Sequence, residues 1–305
     1  MMRHIALLVT LAVGLAGCGQ KPSAEEEKAV SQILNSGGKV SRDEALPGRP
    51  VVGVDLYKPG VTDSDLKGLK EIKNLRYLRL NFFKTSQFDA SQITDVGLKE
   101  LKELKVLRSL YLSDTQITDA GLKELKELKA LQQLYLDSTQ ITDAGLKNLK
   151  ELKGLQELNL GATRITDAGL KELKELQTLS ELFLGHTQTT DAGLKELKEL
   201  KDLCWLDLSG TRITDAGLKD LKELKDLRWL DLGGTQITDV GLKDLKEIKG
   251  LRMLDLHGTQ ITDAGLEDLK EMKGLHNLDL SGTRITNAGL KDLRQALPKT
   301  HISGP

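Results

Sequence analysis

Residues 203–226 have the sequence LCWLDLSGTRITDAGLKDLKELKD, and this pattern recurs through most of the chain. Its consensus, LxxLxLxxTxITDAGLKxLKELKx, is 24 residues long. The ITD segment begins at Ile93 and returns every 24 residues up to Ile285, with one earlier copy at Val61 after a longer gap. Self-similarity at a fixed period indicates one supersecondary unit stacked on itself, so we expect an elongated array rather than a globule.

Each unit contains the pattern of one strand followed by one helix. Leu230 and Leu232 alternate with other residues, which is typical of a strand with one buried face. In residues 215–224, leucines three apart lie under a charged exterior, which indicates a helix, and we expect Asp215 to cap its first turn. The unit predicts an α/β solenoid curved into a horseshoe, with parallel strands on the concave face and helices on the convex face.

The unit resembles the leucine-rich repeat. Its ITDxGL motif is similar to the cysteine-containing subclass found in F-box-type receptors. Thr115, Thr139 and Thr163 stand where that subclass has Cys or Asn, the unit is shorter, and no F-box segment is recognisable before the repeats. The resemblance implies a receptor-like scaffold without ubiquitin ligation. The chain also looks like the leucine-rich repeat lipoproteins of the bacterial envelope.

The first residues have the pattern of a targeting segment. Residues 1–4 begin with positive charge, and residues 5–15 are apolar but too few to span a bilayer. The sequence LAGC, ending at Cys18, resembles the lipobox of bacterial lipoproteins, which implies acylation of the Cys18 thiol and removal of residues 1–17. We therefore expect a lipid anchor in the cell envelope, on the periplasmic or outer-membrane side. An ordinary signal peptide with a coincidental Cys is the alternative.

Three regions follow the targeting segment. Residues 18–23 form the lipid anchor and a short polar tether. Ser23 and Glu26 have the spacing of a capping box, so residues 24–50 are expected to begin with a helix that caps the first repeat. Residues 51–305 are then the repeat array, with ten strand units.

Charge and cysteine content exclude several classes of protein. The 44 Lys and Arg and the 45 Asp and Glu are interspersed, so no basic face exists for nucleic acid. The chain has two cysteines, and if Cys18 carries lipid, Cys204 has no intramolecular partner. We expect no disulfide framework and a passive thiol at Cys204.

Aromatic residues gather on the strand positions that point away from the buried leucines. Seven of the ten lie there: Tyr57, Tyr77, Tyr111, Tyr135, Phe183, Trp205 and Trp229. The predicted core of Leu and Ile uses none. Exposed aromatic clusters indicate a binding surface, although aromatic residues also favour exposed strand positions through cross-strand packing.

The other three aromatic residues belong to an insertion. Phe82, Phe83 and Phe88 lie in or beside residues 83–90, an eight-residue addition to the period. Insertions in a solenoid form loops on one face, often the binding face. We expect this loop to fold back onto the array or to contact a ligand.

Four aspartates occupy the same place on consecutive predicted strands: Asp207, Asp231, Asp255 and Asp279. They would stand about 4.8 Å apart, and like charges at this spacing destabilise a sheet. A basic partner would offset the repulsion, with Trp205 and Trp229 contacting its cations. The alternative is that the aspartates are part of the common template, balanced by Arg228 and Arg252. The sequence leaves both interpretations open.

Enzymatic readings have little support in the sequence. His186, His257 and His276 fall singly, without a repeated metal-ligand spacing, and His257 with Asp255 is the one pair on a common face. No glycine-rich phosphate loop is present. We therefore predict no enzymatic activity, no cofactor and no metal site.

The sequence predicts a lipid-anchored, monomeric scaffold that binds a protein or peptide on a concave aromatic and acidic face. A glycan-binding module is an alternative, because Trp and Tyr platforms beside Asp and Asn also suit sugar rings. A structural spacer without a specific ligand is a third possibility. Salt separates the first two, since a basic peptide loses affinity as salt rises and a neutral sugar does not.

Overall fold

The computed structural model describes residues 22–56, 60–80 and 92–304. Several predicted features lie outside them: the targeting segment, Cys18, Tyr57, Phe82, Phe83, Phe88 and the insertion 83–90. Within the described ranges, none of the helices has the length and apolar character needed to cross a membrane.

Twelve strands form one sheet, and they neighbour one another in chain order. They are β1 Lys39–Arg42, β2 Val51–Asp55, β3 Tyr77–Arg79, β4 Ser109–Tyr111, β5 Gln133–Tyr135, β6 Glu157–Asn159, β7 Glu181–Phe183, β8 Trp205–Asp207, β9 Trp229–Asp231, β10 Met253–Asp255, β11 Asn277–Asp279 and β12 His301–Ser303. β1 pairs antiparallel with β2, and every later pair is parallel. Strands β2 to β11 are the ten predicted units, and β1 and β12 extend the sheet at its two ends.

The helical half of each unit is short. The α-helices are α1 Ala24–Asn35, α2 Asp95–Leu98, α3 Asp119–Leu125, α4 Asp143–Leu146, α5 Asp167–Leu170, α6 Asp191–Leu197, α7 Asp215–Leu221, α8 Leu242–Leu245, α9 Leu266–Lys270 and α10 Asn287–Ala296. The 3₁₀ segments are Asp63–Leu66, Leu69–Glu71, Lys99–Leu101, Leu149–Glu151, Lys171–Glu175 and Asp263–Gly265. Together with the parallel sheet, they make the predicted α/β solenoid.

Leucine and isoleucine columns form one continuous core between the strands and the helices. Leu206, Leu208 and Ile213 show the pattern, since each is 0% exposed. The core contains no aromatic residue from the described ranges, as predicted. This arrangement leaves every other strand position to point away from the core, onto the concave face.

Buried threonines satisfy their hydroxyls inside their own unit. The Thr115 hydroxyl donates to the Leu112 carbonyl at 2.6 Å, and the same bond is made in seven later units. A buried hydroxyl without a partner would be costly. The bond explains how Thr serves at the place where the F-box-type subclass has Cys or Asn.

A carboxylate of each ITD motif binds the next unit. Asp215 Oδ1 accepts from the Thr238 backbone N–H at 2.9 Å, and its Oδ2 accepts from the Thr238 hydroxyl at 2.7 Å. We call this pair of bonds the repeat clamp. The cap of the first turn is instead Thr214, whose side chain accepts from the Ala216 N–H. The prediction that Asp215 caps its own helix was therefore wrong.

The repeat clamp occurs nine times in the described residues. It joins Asp63 to Thr94, Asp95 to Thr118, Asp119 to Thr142, Asp143 to Thr166, Asp167 to Thr190, Asp191 to Thr214, Asp215 to Thr238, Asp239 to Thr262 and Asp263 to Thr286. The first of these pairs spans the insertion, so the extra residues leave the stacking of the units unchanged.

The glycine of the ITDxGL motif makes room for the clamp. A Cβ on Gly169 would lie 2.3 Å from Asp143 Oδ1 of the preceding unit. Any side chain here would displace the carboxylate that holds Thr166. The motif is therefore a set of inter-unit contacts as much as a helix signal.

Helix α1 covers the N-terminal end of the array. Its N-cap is Ser23, whose Oγ accepts from the Glu26 N–H at 3.0 Å, and it buries Ala29, Val30 and Ile33 in the core. This is the capping helix expected from the sequence. Exposed ends of solenoids require such a cover.

Candidate functional site

Two columns of side chains run along the concave face, in the register predicted from the sequence. The first column contains Tyr77, Ser109, Gln133, Glu157, Glu181, Trp205, Trp229, Met253 and Asn277. The second contains Asp55, Arg79, Tyr111, Tyr135, Asn159, Phe183, Asp207, Asp231, Asp255 and Asp279. All six described aromatic residues belong to these columns.

Three tyrosines form a cluster near the N-terminal end of the face. The rings of Tyr111 and Tyr135 stack with centroids 4.5 Å apart, and Tyr77 lies 5.3 Å from Tyr111. The Arg79 guanidinium lies 5.3 Å from the centroid of the Tyr111 ring and pairs with Asp55 at 3.6 Å. We call Tyr77, Tyr111 and Tyr135 the tyrosine cluster. The Arg79 guanidinium beside this cluster is therefore already paired with a carboxylate.

A second cluster contains Phe183, Trp205 and Trp229, which we call the tryptophan cluster. The two indoles stack with centroids 4.4 Å apart, and the Phe183 ring is 6.5 Å from Trp205. All three side chains are half-buried. The stacking shows that cross-strand packing accounts for part of the aromatic pattern, while the remaining exposed ring surface faces solvent.

Two glutamates separate the clusters. Glu157 lies opposite Glu181 on the neighbouring strand. It accepts hydrogen bonds from Gln133 Nε2 at 2.6 Å and from the Tyr135 hydroxyl. Burial, reinforced by the Glu181 carboxylate, raises the pKa of Glu157 to about 7, although the bond from Gln133 opposes the shift. Burial also raises the pKa of Glu181.

Neither glutamate was predicted as a site residue from the sequence. Like acids at the same place in successive units were a readable signal. Because directly opposed charges destabilise a sheet, this pair is a point where the face favours a cation or a proton.

The four aspartates of the second column have a structural role. Asp207, Asp231, Asp255 and Asp279 each accept from the backbone N–H two residues later, at 2.8 Å. Asn159 makes the same bond to Gly161 at 2.9 Å. These bonds support the interpretation of the aspartates as template residues that shape the turn after each strand.

The column is not balanced by the arginines named from the sequence. Arg228 pairs with Asp226 at 3.5 Å, and Arg252 donates to the carbonyls of Leu251 and Gly274. Both arginines are held by backbone and side-chain oxygens away from the column, so in the described part of the chain neither forms an ion pair with the four aspartates. Burial, opposed by the Gly233 N–H and reinforced by Asp255 and Asp207, raises the pKa of Asp231 to about 7.

Two other departures from the template lie outside the face. Thr189, which replaces the usual Ile, is 0% exposed, and its hydroxyl is 2.9 Å from that of Thr187. It is a core residue and not a ligand contact. The Cys204 Sγ is 3.4 Å from the Ser180 carbonyl, and burial raises the pKa of its thiol. A raised thiol pKa favours the passive role expected from the sequence.

Three segments of the chain match family models. Residues 105–150 match a model for two copies of the leucine-rich repeat, and residues 155–174 and 201–261 match further leucine-rich repeat models. Together with the sheet and helices described above, these matches support an α/β solenoid built from leucine-rich repeats. A comparison with curated protein sequences gives no significant match.

Solved structures with similar folds come from bacteria and plants. An internalin C2 from Listeria monocytogenes is 27% identical, with a TM-score of 0.51 over 74% of this chain and 84% of that one. An internalin of the inlF type from the same organism is 22% identical, with a TM-score of 0.49 over 93% and 95%. The Arabidopsis receptor kinase HAESA, in complex with the peptide hormone IDA and the co-receptor SERK1, is 18% identical, with a TM-score of 0.58 over 86% and 46%.

Proposed function

We propose that the chain is a non-enzymatic scaffold that binds a protein or peptide on its concave face. The observation that carries this proposal is the placement of the aromatic residues. All six that the structure describes lie in the two concave columns, and the leucine core contains none. Large, flat side chains provide contact area at little entropic cost, and they dominate the energetics of protein interfaces.

We further propose that the bound protein or peptide is basic. Glu157 and Glu181 lie between the tyrosine and tryptophan clusters, and the aspartates continue the negative surface toward the C-terminus. In the described residues, no Lys or Arg forms an ion pair with Glu157, Glu181 or the four aspartates. A Lys or Arg side chain of the partner would pair with the glutamates while its stem packs against the neighbouring rings.

The fold is compatible with this kind of ligand. The receptor kinase HAESA has a similar fold and its structure contains a peptide hormone. The concave sheet of this chain has eleven parallel strands spaced about 4.8 Å apart, which gives a surface roughly 48 Å long. That length accommodates an extended peptide or one face of a small domain.

We further propose that the protein is a monomer attached to a bacterial cell envelope by lipid on Cys18. The LAGC sequence after an apolar stretch supports the anchor. Interspersed charges over the repeats argue against nucleic acid as a partner. Replacing Cys18 with Ala is expected to release the protein into the soluble envelope fraction, and continued membrane association of that variant would contradict the anchor.

Intrinsic fluorescence provides a test of the concave surface. The chain has two tryptophans, Trp205 and Trp229, and both lie in the tryptophan cluster. Titration with Lys- and Arg-rich peptides should change their emission, and the affinity should fall as salt rises. Charge-matched acidic peptides and neutral oligosaccharides are expected to have no effect. Saturable binding of a neutral sugar, independent of salt, would favour the glycan alternative instead.

Crosslinking in native envelopes then tests the partner itself. Trp205→Ala with Trp229→Ala should remove crosslinked partners, whereas Val96→Ala with Val240→Ala should not. Val96 and Val240 are matched controls because they are 62% and 64% exposed and lie outside the two concave columns. An unchanged set of partners in the tryptophan variant, with its helical and sheet signals intact, would exclude the concave site and favour the spacer.

A further inference from the structure

Three possible metal ligands meet near the C-terminal end of the concave face. Asp231, Asp255 and His257 each place one ligand atom within 4.8 Å of the others. Asp231 belongs to β9, and Asp255 and His257 belong to the next unit. The sequence places His257 with Asp255 as a pair on a common face but predicts no metal site, and the third donor, Asp231, lies on the neighbouring strand.

His257 is held against the preceding unit. Its Nδ1 lies 2.9 Å from Asp255 Oδ1. Its ring covers Gly233, where an added Cβ would lie 2.1 Å from Nδ1 and 2.0 Å from Cε1. A side chain at residue 233 would therefore push the imidazole away, and the glycine allows the ring to sit beside Asp231. The place of His257 is occupied by Gly233 in the preceding unit, by Ser281 in the following unit and by Ser209 two units earlier.

Both carboxylates keep an oxygen for a cation. The turn N–H groups of Gly233 and His257 bond Oδ1 of Asp231 and Asp255. Within residues 92–304, no hydrogen bond engages Oδ2 of either aspartate. The scaffold therefore fixes each side chain through one oxygen and presents the other.

The surrounding charge also favours a cation. Asp207 and Asp279 flank the cluster in the same column. A divalent ion among these groups would relieve the repulsion between the aspartates.

We propose that Asp231, Asp255 and His257 bind one divalent transition-metal ion, with Zn²⁺ as the best match. An imidazole nitrogen with carboxylate oxygens suits Zn²⁺, whereas Ca²⁺ and Mg²⁺ require more oxygen donors. Zinc ligands in a tetrahedron stand about 3.3 Å apart, so side-chain rotation has to bring the ligand atoms closer by up to about 1.5 Å. The fourth position is open to water or to a group of a bound partner.

Titration of the full-length chain with Zn²⁺ alone, by calorimetry at pH 7.5, tests the site. One ion per chain is expected, and His257→Ser should weaken the affinity at least about tenfold. The serine variant should keep the fold because Ser281 occupies this place in the following unit and Ser209 occupies it two units earlier. Asp231→Asn and Asp255→Asn should weaken binding as well, and Asn159 shows that Asn preserves the turn bond.

A matched control removes a histidine elsewhere. His186→Gly introduces the residue that the next unit has at this position, Gly210, and should leave the Zn²⁺ affinity unchanged. Binding should also weaken toward acidic pH, because a protonated imidazole cannot coordinate the ion. Equal Zn²⁺ affinity in the wild type and His257→Ser, or equal competition by Mg²⁺, would assign binding to a diffuse acidic surface and overturn the proposal.

The metal site is separable from the peptide-binding function. Trp205→Ala with Trp229→Ala should keep the Zn²⁺ affinity, and His257→Ser should keep the response of the tryptophan emission to basic peptides. A negative result for the Zn²⁺ site therefore does not contradict the proposed peptide-binding surface, and a negative result for that surface does not contradict the Zn²⁺ site.

Discussion

The units from β3 to β7 and those from β8 to β11 share one leucine core and one clamp but differ on the concave face and in the turns. The N-terminal units present tyrosines and glutamates, whereas the C-terminal units present tryptophans and a column of aspartates. The backbone pairing is the same in both. The buried residues and the clamp therefore set the stacking of the units, while the concave residues vary independently of it.

The turns after the strands show the same contrast. In the N-terminal units, non-glycine residues adopt a left-handed conformation at one position: Asp114, Ser138, Ala162 and His186. In the C-terminal units, glycines adopt it: Gly210, Gly234, Gly258 and Gly282. Left-handed backbone costs a residue with a Cβ about 1 kcal/mol or more, so the N-terminal turns carry strain that the C-terminal turns avoid.

The clamp should respond equally in the two regions, and breaking it gives the largest expected effect. Gly145→Ala and Gly217→Ala place a Cβ 2.3 Å and 2.5 Å from the clamp oxygens of Asp119 and Asp191. Each should lower the free energy of unfolding by about 2–4 kcal/mol, because lost hydrogen bonds and overpacking outweigh the better helix propensity of Ala. Urea unfolding followed by circular dichroism measures the loss.

The exposed neighbours provide the control for this pair. Ala144→Ser and Ala216→Ser lie one residue earlier and should change the free energy of unfolding by less than about 0.5 kcal/mol. Clearly unequal losses for the two glycine variants would show that the units differ in their stacking as well as in their surface.

The carboxylates should give the next largest effect, through pH. The pKa of Glu157 in the folded chain is about 7, above its ordinary 4.5, so the folded state binds the proton more tightly. The contribution of protonated Glu157 to the free energy of unfolding is therefore complete below about pH 4.5, and it is lost as the pH rises through about 7. The wild type should therefore lose about 2 kcal/mol of its free energy of unfolding between pH 5 and pH 8 through this group. Glu157→Gln should abolish that loss.

Asp231 extends this test to the C-terminal units. Burial raises its pKa to about 7 as well, so Asp231→Asn should also flatten the dependence of stability on pH. Thermal unfolding at pH 5 and pH 8 measures both variants against the wild type. The double variant Glu157→Gln with Asp231→Asn should show little change in stability between these pH values. If its stability still depends on pH as in the wild type, other groups control that dependence.

The turns should give the smallest effect, and it should have opposite signs in the two regions. Ala162 has φ 53° and Gly234 has φ 66°, so Ala162→Gly relieves strain and Gly234→Ala introduces it. We expect a gain of about 0.5 kcal/mol and a loss of about 1 kcal/mol in the free energy of unfolding. A Cβ at residue 234 would have no atom nearer than 3.8 Å, which leaves backbone strain as the cause. Denaturant unfolding measures the sign of each change. A loss of stability in both variants would contradict the presence of backbone strain at Ala162.

The sequence predicted the repeat architecture well because its signals are local. Leu230 and Leu232 alternate within six residues, and the ITD spacing fixes which strand positions share a column. The placement of Trp205 beside Trp229 follows from the same register. These features require only the period of the chain and the geometry of a strand.

Contacts between units were harder to predict. Asp215 was expected to cap its own helix because a single unit shows only that partner, whereas its actual partner, Thr238, lies in the next unit. The environment of Glu157 likewise depends on Gln133, Tyr135 and Glu181 from the strands on either side. Side-chain burial and pKa shifts of this kind arise only after the units have stacked.

The repeat clamp has a consequence for how such a chain changes length. In every internal unit a threonine donates hydrogen bonds to the preceding unit, and an aspartate accepts hydrogen bonds from the following unit. Duplication or deletion of a whole unit in the gene therefore leaves no threonine or aspartate of the clamp without its partner. The two ends are the exceptions. Thr62 has no earlier unit and donates to Asp65 of its own turn at 2.9 Å, and the last motif has Asn287 in place of the aspartate. The internal units are thus interchangeable modules, whereas the motifs at Val61 and Ile285 each lack one half of the clamp.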